Sequence, residues 1–280
     1  MYYITGDVHG DFRDIQSRCK KNRLTEDDTL IILGDLGANY FLDVRDNLFK
    51  SQLQSLGPTL FCVHGNHEER PDNIEGYRRR KWNGGWVSYQ EEYPNLLFAI
   101  DGDVYHVNGK TMITCGGAYS VDKYYRLLAA IRRGSVPRDN DEIAIERDLI
   151  DLIAGRCLET SKKAQIDEFI ENIPDCERVV HWFKSEQMDM NTKNRVVDTL
   201  ARKRWACDII LTHTAPIQYE PTEVFLPSVN QSSVDKSMEK FFGQLIKTIQ
   251  FQHWYAGHYH VDKAVNDNFM FLYKKVIPLV

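Results

Sequence analysis

Asp7 and His9 in Gly6-Asp7-Val8-His9-Gly10, Asp35 after Gly34, Asn66-His67-Glu68 after Gly65, His213 in Leu211-Thr212-His213-Thr214, and His258 and His260 in Gly257-His258-Tyr259-His260 are scattered over almost the whole chain. Carboxylate and carboxamide oxygens combined with neutral imidazole nitrogens suit borderline divalent ions such as Mn, Fe, Zn, Ni or Co, whereas structural zinc favours thiolates. No cysteine stands in any of these clusters.

Such groups can act together only if the fold gathers them. Asp7 and His9 are two residues apart, as are His258 and His260, and in an extended segment that spacing sends both side chains to the same side. The clusters follow or interrupt apolar runs: Tyr2-Tyr3-Ile4-Thr5, Leu30-Ile31-Ile32-Leu33, Leu60-Phe61-Cys62-Val63 and Ile209-Ile210-Leu211. These runs read as buried strands with polar groups at their carboxyl ends, which is where open α/β sheets build sites.

The pattern resembles the calcineurin-like metallophosphoesterase superfamily, whose motifs are D-x-H, G-D, G-N-H-[DE], a lone His after a strand, and G-H-x-H. All five occur here in that order, and their coincidence is far more specific than any one alone. The resemblance implies that Asp7, His9 and His260 hold one metal and that Asn66, His213 and His258 hold a second, with Asp35 bridging. Two divalent cations against two carboxylates leave a net positive site for a phosphate and a hydroxide. The implied activity is hydrolysis of a phosphate mono- or diester, as a phosphatase or phosphodiesterase, by a hydroxide bound at a dinuclear centre, with manganese foremost among the metals. No covalent nucleophile is required.

His67 is outside the implied ligand set, so by resemblance it faces substrate and either donates a proton to the leaving oxygen or stabilises its charge, roles that an imidazole pKa near working pH suits. Glu68 and Asp11 could orient imidazoles from behind, although acids are also favoured in the first turn of a helix. Phosphoprotein phosphatases of this superfamily continue their second motif as G-D-x-V-D-R-G, whereas this chain reads Gly34-Asp35-Leu36-Gly37-Ala38-Asn39-Tyr40 and lacks the arginine. A small molecule or nucleotide is therefore expected as substrate ahead of a phosphoprotein. Arg70 is a candidate phosphate clamp, with Asn39 and Tyr40 as further substrate contacts. Tyr40, Trp82, Trp86 and Tyr119 could stack on a base. The basic runs Arg78-Arg79-Arg80-Lys81 and Arg202-Lys203-Arg204 could touch a phosphate backbone, though charge runs are usually solvated faces. The competing readings are a nuclease acting on nucleic acid, which needs a wide groove with a basic lining, and a catalytically silent metal-binding scaffold.

The 280 residues can bury a sizeable core, and 42% hydrophobic with 27% charged residues is ordinary for a globular protein. A net charge of -5 gives no global attraction to nucleic acid. No apolar stretch is long enough to span a membrane, and a first strand expected from Tyr2 would leave no room for a signal peptide ahead of it. The six cysteines, Cys19, Cys62, Cys115, Cys157, Cys176 and Cys207, show no CxxC spacing and read as reduced thiols of a cytoplasmic protein.

Strand and helix patterns alternate to Val63, with helical runs at Phe12 to Lys21 and Val44 to Leu56, predicting a parallel βαβαβ series. Three shorter strands follow between Asn95 and Gly117, punctuated by Asp101-Gly102-Asp103 and Asn108-Gly109. Another hairpin turns at Asp267-Asn268. Apolar residues from Val234 to Ile249 recur at helical spacing after Ser232-Ser233, which can cap that helix. Between Tyr119 and Trp205 strand signals vanish, and helices are expected at Lys123 to Arg132, Asp139 to Ala154, Ser161 to Asn172 and Ser185 to Arg204. The expected architecture is α/β: one domain over residues 1–280, with two mixed sheets in the four-layer αββα sandwich that the resemblance implies. A helical insertion at about 127–180 would serve as a cap beside the metals or as a contact in a homo-oligomer.

Overall fold

In the run Leu30-Ile31-Ile32-Leu33 alternate side chains must leave opposite faces of an extended chain. The computed structural model, which describes residues 1–136, 140–156 and 160–279, shows what each face meets. Leu30 and Ile32 pack with Ile15, Cys19, Phe49 and Leu53 of two outer helices. Ile31 and Leu33 pack with Tyr105, Met112, Ile209 and Leu211 of a second sheet. Both faces are dry, which is why the run is continuously apolar.

The first sheet is built from β1 (Tyr2–Thr5), β2 (Thr29–Ile32), β3 (Thr59–Cys62), β4 (Arg78–Trp82), β5 (Gly85–Tyr89), β6 (Leu96–Ala99) and the C-terminal β13 (Ile277–Pro278), in the order β13-β1-β2-β3-β6-β5-β4. Its centre, β1-β2-β3-β6, is parallel; β13, β5 and β4 are antiparallel. Helices α1 (Phe12–Lys21) and α2 (Val44–Gln54) cover its outer face, and the Asp11 and Asp43 carboxylates cap them by accepting the backbone N–H of Asp14 and Arg45.

The second sheet contains β7 (Val104–Val107), β8 (Lys110–Cys115), β9 (Ile209–Thr212), β10 (His253–Ala256), β11 (Lys263–Asn266) and β12 (Phe269–Phe271), in the order β11-β12-β10-β9-β8-β7. Val196 and Leu200 of α7 (Met190–Arg202) and Phe242 of α8 (Ser237–Leu245) pack on its outer residues Ile113, Ile210 and Trp254. Helix, sheet, sheet and helix make the αββα sandwich.

Between β8 and β9 lie α3 (Lys123–Arg132), α4 (Asn140–Ile153), α5 (Thr160–Asn172) and α6 (Cys176–Val179). Leu127, Ile131, Leu149, Leu152, Ile166, Ile170 and Trp182 form a separate apolar cluster for this block. Within the expected insertion, 137–139 and 157–159, including the expected helix start Asp139 and the thiol of Cys157, lie outside the described residues.

Three expectations shift. The last helix begins at Ser237, not after Ser232-Ser233; those serines form a short 3-10 turn, and the Asp235 carboxylate takes the Ser237 N–H at 2.8 Å. Helix α7 begins at Met190 rather than Ser185, because the Asp189 carboxylate caps it through Thr192 N at 2.7 Å. The basic run Arg78 to Lys81 is the edge strand β4, paired with β5 across Asn83-Gly84, and charged side chains are what keep an exposed edge from pairing with another chain.

Candidate metal centre

Every polar cluster sits just beyond the carboxyl end of a parallel strand. Asp7 and His9 follow β1, Asp35 follows β2, Asn66 and His67 follow β3, His213 follows β9, and His258 and His260 follow β10. The route of convergence differs from the expected one, because the chain is no longer extended there. His9, Asp35, His258 and His260 all have left-handed backbone, with φ of 53°, 50°, 67° and 51°. For residues with a Cβ this is sparsely populated and costs free energy, and its concentration in one place marks a functional site.

Two glycines let these loops close. A Cβ on Gly34 would lie 2.2 Å from His213 Nδ1, and one on Gly257 would lie 2.5 Å from Asp7 Oδ1. Neither neighbour can retreat, since both are fully buried.

On one side of the centre, Asp7 Oδ2 is 3.2 Å from His260 Nε2 and 3.7 Å from His9 Nε2, and the two imidazole nitrogens are 2.8 Å apart. Asp7 Oδ1 accepts the His258 backbone N–H at 3.0 Å. Asp7 Oδ2 has no hydrogen-bond partner although it is buried. Burial would raise the Asp7 carboxyl pKa, but the His260 and His9 rings beside it outweigh that and hold it below the carboxylate range.

On the other side, His213 Nδ1 is 2.6 Å from the Leu33 carbonyl, which can only accept, so this nitrogen carries a proton. His213 Nε2 then faces Asn66 Oδ1 at 2.9 Å and Asp35 Oδ2 at 3.4 Å. Asn66 Nδ2 donates to Ser120 Oγ at 2.9 Å, which fixes the amide with its oxygen toward His213. In a neutral ring Nε2 is a lone pair, so three acceptors point at one another. Only a positive charge reconciles them. In the protein alone that charge is a proton: burial would lower the His213 pKa, but the Asp35 carboxylate raises it to about 9. A divalent cation fits the same place, and the nitrogen and oxygen donors suit a borderline transition metal.

Asp35 lies between the two sides. Its Oδ2 is 3.4 Å from His213 Nε2, 3.8 Å from His9 Nε2 and 3.9 Å from His67 Nε2. Among the described residues, three sets of donor atoms each gather within 4.8 Å: Asp7, His9 and His260; His9, Asp35 and His67; and Asp7, Asp35 and His213. His258 belongs to none of the three. Its ring lies 5.1 Å from that of His213, and burial, followed by the charge on His213, lowers its pKa to about 3.

A family model described as calcineurin-like phosphoesterase matches residues 2–151, more than half of the chain. The chain belongs to that family. The calcineurin-like phosphoesterases are metal-dependent enzymes acting on phosphate esters, and the match covers Asp7, His9, Asp35, Asn66 and His67; His213, His258 and His260 lie beyond it. Among solved structures, phosphopantetheinyl hydrolase (PptH) from Mycobacterium tuberculosis is similar at 12% identity and a TM-score of 0.41, over 97% of this chain and 87% of that one. Another matches at 10% identity and a TM-score of 0.41, over 97% of this chain and 88% of that one. No curated protein matches.

The remaining candidates of this calcineurin-like chain divide. Arg70 is not brought to the centre: its guanidinium binds Asp101 Oδ2 at 2.6 Å and the Ser185 carbonyl at 2.8 Å. Asn39 is buried and accepts the Tyr77 hydroxyl at 2.8 Å. Glu68 does not orient an imidazole; its two oxygens accept Gly65 N and Gly37 N at 3.1 and 3.2 Å, tying two site loops together. Asp11 is a helix cap. Trp82 stacks on Phe61 in the core at 4.6 Å, and Trp86 is exposed beneath Lys81. Tyr40 stays close: its hydroxyl is 3.3 Å from Arg126 Nη1, and its ring stacks on His181 at 5.0 Å.

Arg126 itself escaped the sequence reading, because it belongs to no motif and looks like any charged residue on an amphipathic helix. It stands on α3 and places Nη2 against His67 Nδ1. A guanidinium only donates, so Nδ1 accepts and the proton of a neutral His67 ring sits on Nε2, on the side facing Asp35. The Asp122 carboxylate holds Arg126 Nε at 2.7 Å. Burial, aided by Arg126 and opposed by Asp35, lowers the His67 pKa.

Proposed function

We propose that the chain hydrolyses a phosphate mono- or diester at a pair of divalent transition-metal ions, manganese foremost. Asp7, His9 and His260 would hold one ion, Asn66, His213 and His258 the other, and Asp35 would lie between them. The observation that carries this reading is the meeting of His213 Nε2, Asn66 Oδ1 and Asp35 Oδ2, three acceptors that a cation reconciles. Bound ions would supply an activated water and neutralise charge on the phosphoryl oxygens.

The chain's own groups do the rest. His67, with its proton on Nε2, is suited to protonate the leaving oxygen, and Arg126 keeps the ring in that tautomer by occupying Nδ1. The Asp35 carboxylate accepts the His67 backbone N–H at 2.8 Å and so registers this loop to the centre. The helical block acts as a cap in this reading, since α3 delivers Arg126 from it. The described cysteines are free and buried, which supports a reducing compartment such as the cytoplasm. No described helix is long and apolar enough to cross a membrane.

Supplying Mn, Ni, Zn and Mg in turn with 4-nitrophenyl phosphate and bis(4-nitrophenyl) phosphate tests the reading. Metal-dependent turnover of at least one ester is expected, with Asp35→Asn removing most of it, since the bound ions would supply several kcal/mol of transition-state charge stabilisation. Turnover that survives both chelation and Asp35→Asn contradicts it.

A further inference from the structure

Asp35, Asn66, His258 and His260 of the proposed ligand set, with His67 beside them, also line a cavity of about 400 Å³, a size typical of small-molecule sites. Its remaining wall is mostly apolar. Val224, Phe225, Leu226, Val229 and Val234 come from the segment between β9 and α8, and Tyr119 and Val121 come from the approach to α3. Tyr259, between the two histidines of the last motif, lines it too and stacks on Phe225 at 6.1 Å with 17° between the rings. Val224 and Leu226 are 38% and 59% exposed, so this segment holds apolar groups at the surface beside a polar site.

Of the three acids on the remaining wall, two are paired with cations and the third, Glu239, is bonded through one oxygen only. Asp122 pairs with Arg126, Glu220 with Lys236 at 2.9 Å, and Glu239 accepts the Thr214 hydroxyl at 2.6 Å. Among the described residues no lysine or arginine lines the cavity. A nucleic-acid strand or a polyphosphate would place several anionic groups against this surface, and binding such groups requires cationic partners.

We infer that this chamber seats an uncharged, apolar organic group of the substrate, the alcohol that leaves on the His67 side, with Leu226, Val224, Phe225 and Tyr259 as its specificity-determining wall. The inference rests on the phosphoesterase reading and narrows it: a small ester with an aliphatic or aromatic leaving alcohol, and neither a nuclease substrate nor a phosphoprotein.

Calorimetry on the Mn-loaded protein with methyl-, butyl-, octyl- and phenylphosphonate, and with 4-phosphonobutyrate as a charged counterpart, provides a test that does not depend on turnover. Kd is expected to fall by about two- to fourfold per methylene until the chamber is filled, the upper figure being that for complete burial of a methylene. The terminal carboxylate of 4-phosphonobutyrate is expected to cancel the gain. Leu226→Glu, at an exposed position that the fold tolerates, should flatten the series, and the unmodified protein with the charged probe gives the same answer without a variant. Equal Kd values from methyl- to octylphosphonate, or tighter binding of the carboxylate, overturn the chamber while leaving ester hydrolysis standing. Absence of turnover of every ester with every metal overturns the hydrolytic reading and this inference with it.

Discussion

The Arg126 guanidinium caps the Nδ1 atom of His67, joining the first turns of α3 to the loop that follows β3 across a sequence separation of 59. This one contact decides which face of the imidazole carries its proton, and it ties the helical block to the chemistry. Arg126→Met is expected to lower kcat by about 10- to 100-fold, less than the roughly 10² to 10⁴ that loss of the general acid itself removes, with metal content unchanged. Arg126→Lys, which keeps a donor, should recover part of the loss. Steady-state kinetics with metal analysis checks this; a variant with full kcat would show that the contact does not position His67.

His67 is separated from the proposed ligands by its role rather than by distance, since its Nε2 lies as near Asp35 as that of His9 does. His67→Ala should cut turnover by about 10² to 10⁴ while keeping metal stoichiometry, as the loss of a general acid does. If metal is lost instead, His67 is a ligand.

The buried Glu239 gives a pH dependence of stability. One oxygen takes the Thr214 hydroxyl, the other has no partner, and burial lifts its pKa from an ordinary 4.5 to about 7. The folded chain thus holds this proton more tightly than the unfolded chain. The contribution to stability is complete below pH 4.5 and declines as pH rises to about 7, beyond which it is constant. Glu239→Gln, which cannot ionise, should gain about 1 to 3 kcal/mol relative to the parent on going from pH 5 to pH 8. Urea denaturation at the two pH values measures this, and an equal difference at both would refute it.

Much of the centre was legible because its chemistry is written in short contiguous motifs. Asp7-Val8-His9, Asn66-His67 and His258-Tyr259-His260 each follow an apolar strand, and parallel strands place their carboxyl ends together. The boundaries of α1 and α3 were legible for the same local reason. What was not legible depended on tertiary partners. Arg70 follows a metal motif in sequence yet is drawn away by Asp101, and Arg126 lies far from any motif yet is delivered by a helix whose placement depends on its own apolar cluster. The left-handed backbone of His9 and His260 was hidden too, because alternation describes only extended chain. Val234 reads as a helical residue by spacing but lines the chamber, since the helix starts only at Ser237, whose N–H the Asp235 carboxylate accepts.

The central claim is that three acceptors at His213, Asn66 and Asp35, together with the unpartnered Oδ2 of Asp7, exist to hold cations. Inductively coupled plasma mass spectrometry of the protein dialysed against Mn or Zn tests it most directly. The account predicts about two metal ions per chain, falling to one or fewer in Asp35→Asn. A wild-type protein that retains no transition metal after such loading would contradict it.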